Sequence, residues 1–248
     1  MIKCEFSETQ FSFCFTFEYI RDLFPVPLPL FPNTVAEGRV GGGYDVQIAQ
    51  NVFFQFKIPS YHNTPNNYHR KYWNVFHQPY YKLKIDADST QFKLLKELAD
   101  QSVLNNVFYS APGFFTRADL EKYYGNQEIV WNSVQFSVRG MPNHGTGIHR
   151  LIYSPDFPMA RVFSDSVPIT KYGGGDLWGI AGTTKAADET IFSVANEIRK
   201  VILRNADGLD IGALVVDSDP ASLVEKIHRF LVVYFDVYWY PVLPFQPG

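Results

Sequence analysis

The chain has 248 residues, of which 46% are hydrophobic and 19% are charged. This balance is typical of a folded protein and excludes a chain that is disordered throughout. The formal net charge of -3 excludes the strongly basic character of a nonspecific nucleic-acid coat. The cysteines are Cys4 and Cys14, so the sequence contains no disulfide framework and no zinc ribbon.

The sequence favours a cytoplasmic protein without membrane contact. Its first ten residues lack the apolar core of a signal peptide. The most apolar stretch, at 230–245, is too short for a transmembrane helix and is interrupted by Asp236 and Pro241.

A helix is predicted first, because Ser7 and Gln10 have the spacing of a capping box ahead of an aromatic-rich run. The prolines at 25–32 then favour an extended connector. The glycines at 38–43 precede a strand, and no Gly-Lys-Ser/Thr follows them. They therefore favour a turn rather than a phosphate-binding loop.

A β-hairpin is predicted next, from the alternating stretches YDVQI at 44–48 and VFFQFKI at 52–58. If residues 49–51 form its loop, Asp45 lies opposite Gln55. Lys57 is two residues further along the strand and shares the face of Gln55. The sequence thus predicts an acid, an amide and an ammonium group at one spot. The alternative is an ordinary hairpin whose polar face is solvated.

The remaining elements describe helices around a mixed sheet, which is an α/β (α+β) class. Helices are predicted after Ser89 and Thr116, with a strand at 106–112 between them. Further along, HRLIYS and ALVVDS are predicted as strands, and the segments 188–208 and 219–235 as helices.

The pattern of Asp45, Gln55 and Lys57 resembles the active-site motif of the PD-(D/E)xK nuclease superfamily, in the Mrr-like variant that has Gln in place of Glu. Together with the elements around it, this resemblance covers about residues 7–112. It implies a restriction-endonuclease-like core at 1–135 and a C-terminal extension at 136–248, packed as one globular unit. It also implies a metal-dependent endonuclease, acting on DNA in preference to RNA.

The resemblance implies Mg²⁺ as cofactor, with Mn²⁺ as a substitute. Asp45 would be the principal ligand, and the side-chain oxygen of Gln55 and the backbone carbonyl of Phe56 would complete the set. This agrees with the hard oxygen ligands that Mg²⁺ prefers. Lys57 would stabilise the charge that develops on the phosphoryl oxygens. Members of the superfamily often add a carboxylate from the first helix, which matches Glu8, with Glu18 and Glu37 as alternatives.

A nucleic-acid contact is predicted for one basic segment. Residues 46–85 contain no Asp or Glu and carry a charge of +5, which leaves -8 on the rest of the chain (-3 minus +5). The predicted phosphate contacts are Arg70, Lys71, Lys82 and Lys84, interspersed with aromatic rings that stack on bases or belong to the core. The acidic remainder favours control by a regulatory protein or a homo-oligomer, as in a bacterial defence system. The alternative function is a module of this fold that binds nucleic acid or a protein without cutting.

Overall fold

The computed structural model describes residues 1–23, 50–65, 70–141, 146–163, 167–181, 190–215 and 220–242. The strands are β1 Ile2–Lys3, β2 Gln50–Phe56, β3 Ser60–His62, β4 Tyr80–Asp86, β5 Asn105–Pro112, β6 Ser133–Ser137, β7 Ile148–Tyr153, β8 Met159–Phe163, β9 Val167–Gly173 and β10 Val237–Val242. The helices are α1 Glu8–Leu23, α2 Arg70–Phe76, α3 Thr90–Gln101, α4 Arg117–Asn126, α5 Gly174–Ala181, α6 Ile191–Asn205, α7 Gly212–Val215 and α8 Pro220–Phe235. The predicted class, α+β with a mixed sheet, is confirmed.

The chain divides into two compact units that alternate along the sequence. The first unit comprises Met1–Pro25, Phe56–Ser89 and Phe108–Gly179. The second comprises Val26–Gln55, Thr90–Val107 and Ile180–Gly248. The division predicted after residue 135 falls inside the last segment of the first unit.

In the first unit the strands follow the order β1, β3, β4, β7, β8, β9, β6 and β5. Each neighbouring pair is antiparallel. Helix α1 packs its buried rings Phe11 and Phe15 against Phe56, with centroid distances of 5.8 and 5.3 Å. The core of this unit is therefore rich in aromatic contacts.

The predicted capping box opens α1. The Ser7 hydroxyl accepts a hydrogen bond from the Gln10 backbone N–H at 3.1 Å, and the Gln10 side chain accepts one from the Ser7 N–H at 2.9 Å. Further along α1, the buried carboxylate of Glu18 accepts hydrogen bonds from the backbone N–H groups of Ile129 and Val130, at 2.7 and 3.1 Å. These bonds connect α1 to the loop before β6. The carboxylate of Glu18, an alternative to Glu8 as predicted metal ligand, thus has a structural role.

In the second unit β10 pairs with β2 in antiparallel register, and the start of β5 lies on the other side of β2. The predicted helices at 188–208 and 219–235 are present as α6 and α8. The prediction of a strand at ALVVDS is wrong at its start, because Gly212–Val215 is a helical turn. A short apolar run does not distinguish a buried strand from a helix.

The predicted loop of the hairpin is also wrong. Gln50 and Asn51, which were expected in its loop, belong to β2. Gln55 lies opposite Val237 of β10, and on the other side the Asn51 N–H donates to the Leu104 carbonyl of the second unit at 2.9 Å. The described antiparallel partner of β2 is therefore β10, and the stretch at 44–48 lies outside the described residues. Asp45 and Glu37 themselves lie outside the described residues.

Among the described helices, none combines the length and the apolar character needed to cross a membrane.

Candidate nucleic-acid interface

Gln55, the predicted amide ligand, is fully buried in β2 and contacts a carboxylate. Its Nε2 donates a hydrogen bond to Oδ2 of Asp236 at 3.0 Å. Asp236 stands between α8 and β10 with a φ of 52°, in the left-handed region that Asp tolerates better than most residues. Gln55 therefore does contact an acid, but this acid is Asp236, which directly precedes β10, and not the predicted Asp45.

This arrangement does not fit a magnesium site. Two ligands that share an ion direct oxygen atoms at it, whereas here the amide N–H group of Gln55 faces the carboxylate of Asp236. Among the described residues, no group of three or more His, Cys, Asp or Glu side chains could hold a metal ion. The role of Asp45 as a metal ligand stays a prediction.

The other predicted catalytic residues lie in the first unit. The ring of Phe56 is buried against α1. Lys57 follows directly, with a half-buried side chain and a backbone N–H that donates to the Ser110 carbonyl at 2.9 Å. Glu8 is the first residue of α1 and is half-buried. The catalytic roles of Glu8 and Lys57 and the metal contact of Phe56 stay predictions.

The predicted phosphate contacts, by contrast, converge on one face of the first unit. Lys82 and Lys84 are two apart on β4 and so share a face. Lys84 lies directly opposite Arg150 of β7, and both are exposed. Directly opposed side chains in an antiparallel pair lie about 4.5 to 5.5 Å apart at Cβ. Two cations thus stand side by side on the sheet.

A further cation extends this face to a third strand. Ile152 of β7 lies opposite Lys82 on one side and opposite Arg161 of β8 on the other. Arg161 therefore points to the same side of the sheet as Lys82, and it is half-buried.

Helix α2 lies on the same face. Its buried residues Tyr72 and Phe76 pack with Tyr80, Ile152 and Phe163, which belong to that side of β4, β7 and β8. This packing brings in two more cations, because the exposed residues Arg70 and Lys71 begin the helix. The ammonium of Lys71 lies 5.9 Å from the ring centroid of Phe163, the residue opposite Arg150.

We call the surface formed by these six cations the basic face. Its members are Arg70, Lys71, Lys82, Lys84, Arg150 and Arg161. Four of them were predicted from the sequence. Arg150 and Arg161 were missed, although their alternation with buried residues in HRLIY and MARVF is a usable signal once the strands are paired.

Lys82 is the buried cation of the basic face. Burial lowers the pKa of Lys82, and the nearby charges of Arg150 and Lys84 lower this pKa further. Within the described part of the chain, no ion pair joins Lys82, Lys84 or Arg150 to a carboxylate. Asp86 is the acid on this side of β4; it is exposed and accepts the backbone N–H of Asp88. The positive charges of Lys84 and Arg150 are thus left to solvent or to an anion.

Comparison of the chain with protein-family models, curated proteins and solved structures gives no match.

Proposed function

We propose that this protein binds nucleic acid through the basic face. The observation that carries the proposal is the direct opposition of Lys84 and Arg150, with Lys82 beside them under their repulsion. Like charges placed directly opposite each other in a sheet destabilise it. A bound polyanion removes this cost, and the face is then more stable in the complex than in the free protein.

The extent of the basic face favours a polymer over a small anion. Its cations come from three adjacent strands and from the helix above them. Three strands span about 10 Å at the usual spacing of 4.7 to 4.9 Å. A chain of phosphates contacts several of these cations at once and releases a counterion at each contact.

Fluorescence anisotropy with labelled DNA and RNA oligonucleotides at low salt tests the proposal. We expect wild type to bind and Lys84→Ala to bind about tenfold more weakly, because a phosphate contact of an exposed cation is lost. Lys93→Ala is the matched control, since Lys93 is an exposed lysine of α3 in the second unit. Absence of binding by wild type, or equal losses in the two variants, would overturn the proposal.

Hydrolysis of the bound nucleic acid, with DNA preferred, is the second candidate. It is supported by the sequence pattern of Asp45, Gln55 and Lys57, which resembles the PD-(D/E)xK motif. Incubation of DNA and RNA with Mg²⁺, Mn²⁺ or EDTA tests it, using wild type, Asp45→Ala and Lys57→Ala. Metal-dependent cleavage that is lost in both variants supports a nuclease. Binding without cleavage, together with the absence of Mn²⁺ binding, supports a non-cutting module.

We infer a cytoplasmic setting and a controlling partner from the same features. Both cysteines are free, which is typical of a reducing compartment. The charge of -8 outside residues 46–85 suits control by a regulatory protein or a second copy. Copurification and light scattering of the full chain test for such a partner.

A further inference from the structure

We propose that exposed aromatic rings of α1 and α4 form the contact between two copies of this chain. This inference goes beyond the binding of nucleic acid, on which it does not depend, and it names a second copy as the partner. The rings belong to Phe13, Phe17 and Tyr124, and we call the surface that they form the aromatic patch.

The aromatic patch is continuous across two helices. Phe13 and Phe17 are four residues apart on α1 and so lie on the same side of it. Their rings stack with centroids 6.5 Å apart and planes at 18°. The ring of Phe17 also contacts that of Tyr124 on α4, at a centroid distance of 6.1 Å. Since all three residues belong to the first unit, the rings form one surface.

The fold of the first unit leaves these rings in solvent. Helix α1 packs through its other side, where Phe11 and Phe15 are fully buried. By contrast, Phe13, Phe17 and Tyr124 are 64%, 51% and 41% exposed. At roughly 200 Å² for a whole aromatic side chain, they expose about 300 Å² together. Single exposed apolar residues are common, whereas a contiguous patch of a few hundred Å² is often a functional contact.

The charges beside the aromatic patch do not suit nucleic acid. Arg117 and Glu121 lie on the same side of α4 as Tyr124, seven and three residues before it. The Arg117 Nε donates to the Glu121 carboxylate at 2.9 Å, and both side chains are exposed. A second acid, Glu5, accepts the Arg117 backbone N–H at 2.9 Å. This cation is therefore already paired and has two acids beside it, so a phosphate backbone gains little here.

The same charges suit a second copy. Most soluble oligomers are homo-oligomers, and in a two-fold dimer the same surface of both subunits meets itself. A surface of one charge sign repels its own copy, whereas the ion pair of Arg117 and Glu121 has no net charge. Aromatic rings pair favourably with each other, so the patch is complementary to itself. A standard interface buries about 800 Å² per partner. The rings supply its apolar centre, and the exposed residues Gln10 and Arg21 of α1, with the ion pair, supply its polar rim.

Sedimentation velocity of the full chain between about 1 and 100 µM, without nucleic acid, tests this inference. Wild type is expected to dimerise within this range. Phe13→Glu puts one charge from each copy into the contact, so we expect the dimer to weaken by at least about a hundredfold. Val233→Glu is the matched control, because Val233 is also 64% exposed and also lies on a helix, α8 of the second unit. It should dimerise like wild type.

A second variant keeps the test decisive if Phe13→Glu does not fold. Phe13→Ser removes the ring without adding a charge, and we expect it to weaken the dimer by about tenfold. Far-ultraviolet circular dichroism of both Phe13 variants checks the fold.

The outcomes separate this inference from the proposed function. Wild type that stays monomeric throughout would overturn the inference, and so would a dimer that Phe13→Ser leaves unchanged or that Val233→Glu weakens equally. A monomeric wild type whose affinity for an oligonucleotide falls in Phe13→Ser would instead assign the rings to the nucleic-acid contact. Lys84→Ala should dimerise like wild type, so failure of the basic face to bind nucleic acid would leave the dimer contact in place.

Discussion

Strands β2 and β4 each have seven residues and each carry polar side chains, yet the surroundings of these side chains differ. In β2 the residues Asn51–Phe56 are all buried, and Gln55 turns to an internal carboxylate. In β4 the residues alternate between buried and exposed from Leu83 to Asp86. Lys84 therefore reaches solvent while its neighbours in sequence stay buried. Polar residues thus form an internal hydrogen bond in β2 and reach solvent in β4.

The difference arises from what lies beside each strand. The β2 segment has strands on both sides and aromatic neighbours such as Trp239, whose ring stacks on Phe53 at 6.3 Å. Strand β4 also has a neighbour on each side, but α2 covers only part of one face. Exposure of a polar face is therefore decided by the element packed over it.

The largest effect is expected from Gln55→Glu. This variant distinguishes a structural role of Gln55, in a buried hydrogen bond, from a role as a metal ligand. The new carboxylate would face Asp236 across about 3 Å inside the protein, and we expect the free energy of unfolding to fall by about 3 kcal/mol at pH 7. This repulsion raises the pKa of the pair in the folded state, so the loss appears as pH rises through that raised pKa and shrinks near pH 4. Urea unfolding at both pH values measures it.

Gln55→Leu serves as the control for this test. It removes the amide without adding a charge, and we expect a loss of about 1 to 2 kcal/mol because Asp236 loses its hydrogen-bond donor. Millimolar Mg²⁺ should leave the stability of both variants unchanged. Recovery of the Gln55→Glu variant by Mg²⁺ would contradict a purely structural role for this position.

Arg150→Glu should have the next largest effect, and its two consequences have opposite signs. The pair with Lys84 becomes attractive, so we expect unfolding to require about 0.5 to 1 kcal/mol more free energy. Binding of an oligonucleotide should weaken by about tenfold to a hundredfold, because a phosphate contact is replaced by repulsion. Thermal unfolding and anisotropy on the same preparations measure both. If the variant is less stable than wild type and still binds the oligonucleotide, the assignment of Lys84 and Arg150 as a repulsive pair that contacts phosphate is contradicted.

The smallest effect is expected from Lys82→Met, which keeps the aliphatic stem and removes the buried charge. Since the pKa of Lys82 is lowered in the folded state, wild type gains stability as pH rises from that lowered pKa towards 10.5. We expect the variant to be more stable than wild type by about 0.5 kcal/mol at pH 7, with a smaller advantage at pH 10. Urea unfolding at the two pH values checks the trend, and a constant difference would speak against repulsion at this site.

Local signals in the sequence predicted much of the fold. The capping box of Ser7 and Gln10 and the N-cap Thr116, which accepts from the Asp119 N–H, depend on neighbours within a few residues. The predicted loop at 49–51 is wrong because Gln50 and Asn51 belong to β2, whose antiparallel partner β10 lies more than 180 residues later in the chain. No local pattern specifies such a pairing.

The same limit applies to the candidate site. Lys82 and Lys84 were found because they lie on one strand, whereas Arg150 and Arg161 join them through the register of β4, β7 and β8. The stretch at 70–76 is the helix that places Arg70 and Lys71 on this face. Its rings Tyr72 and Phe76 gain their burial from strand residues distant in sequence. Tertiary packing therefore outweighs a weak local preference.

The salt dependence of binding tests the central claim most directly. Each phosphate contact contributes about -0.7 to the slope of log Kobs against log salt for a single strand. We predict that Lys84→Ala combined with Arg150→Ala makes this slope shallower by about 1.4 relative to wild type, with no loss of stability. An unchanged slope in the double variant would contradict the assignment of the basic face as the nucleic-acid interface.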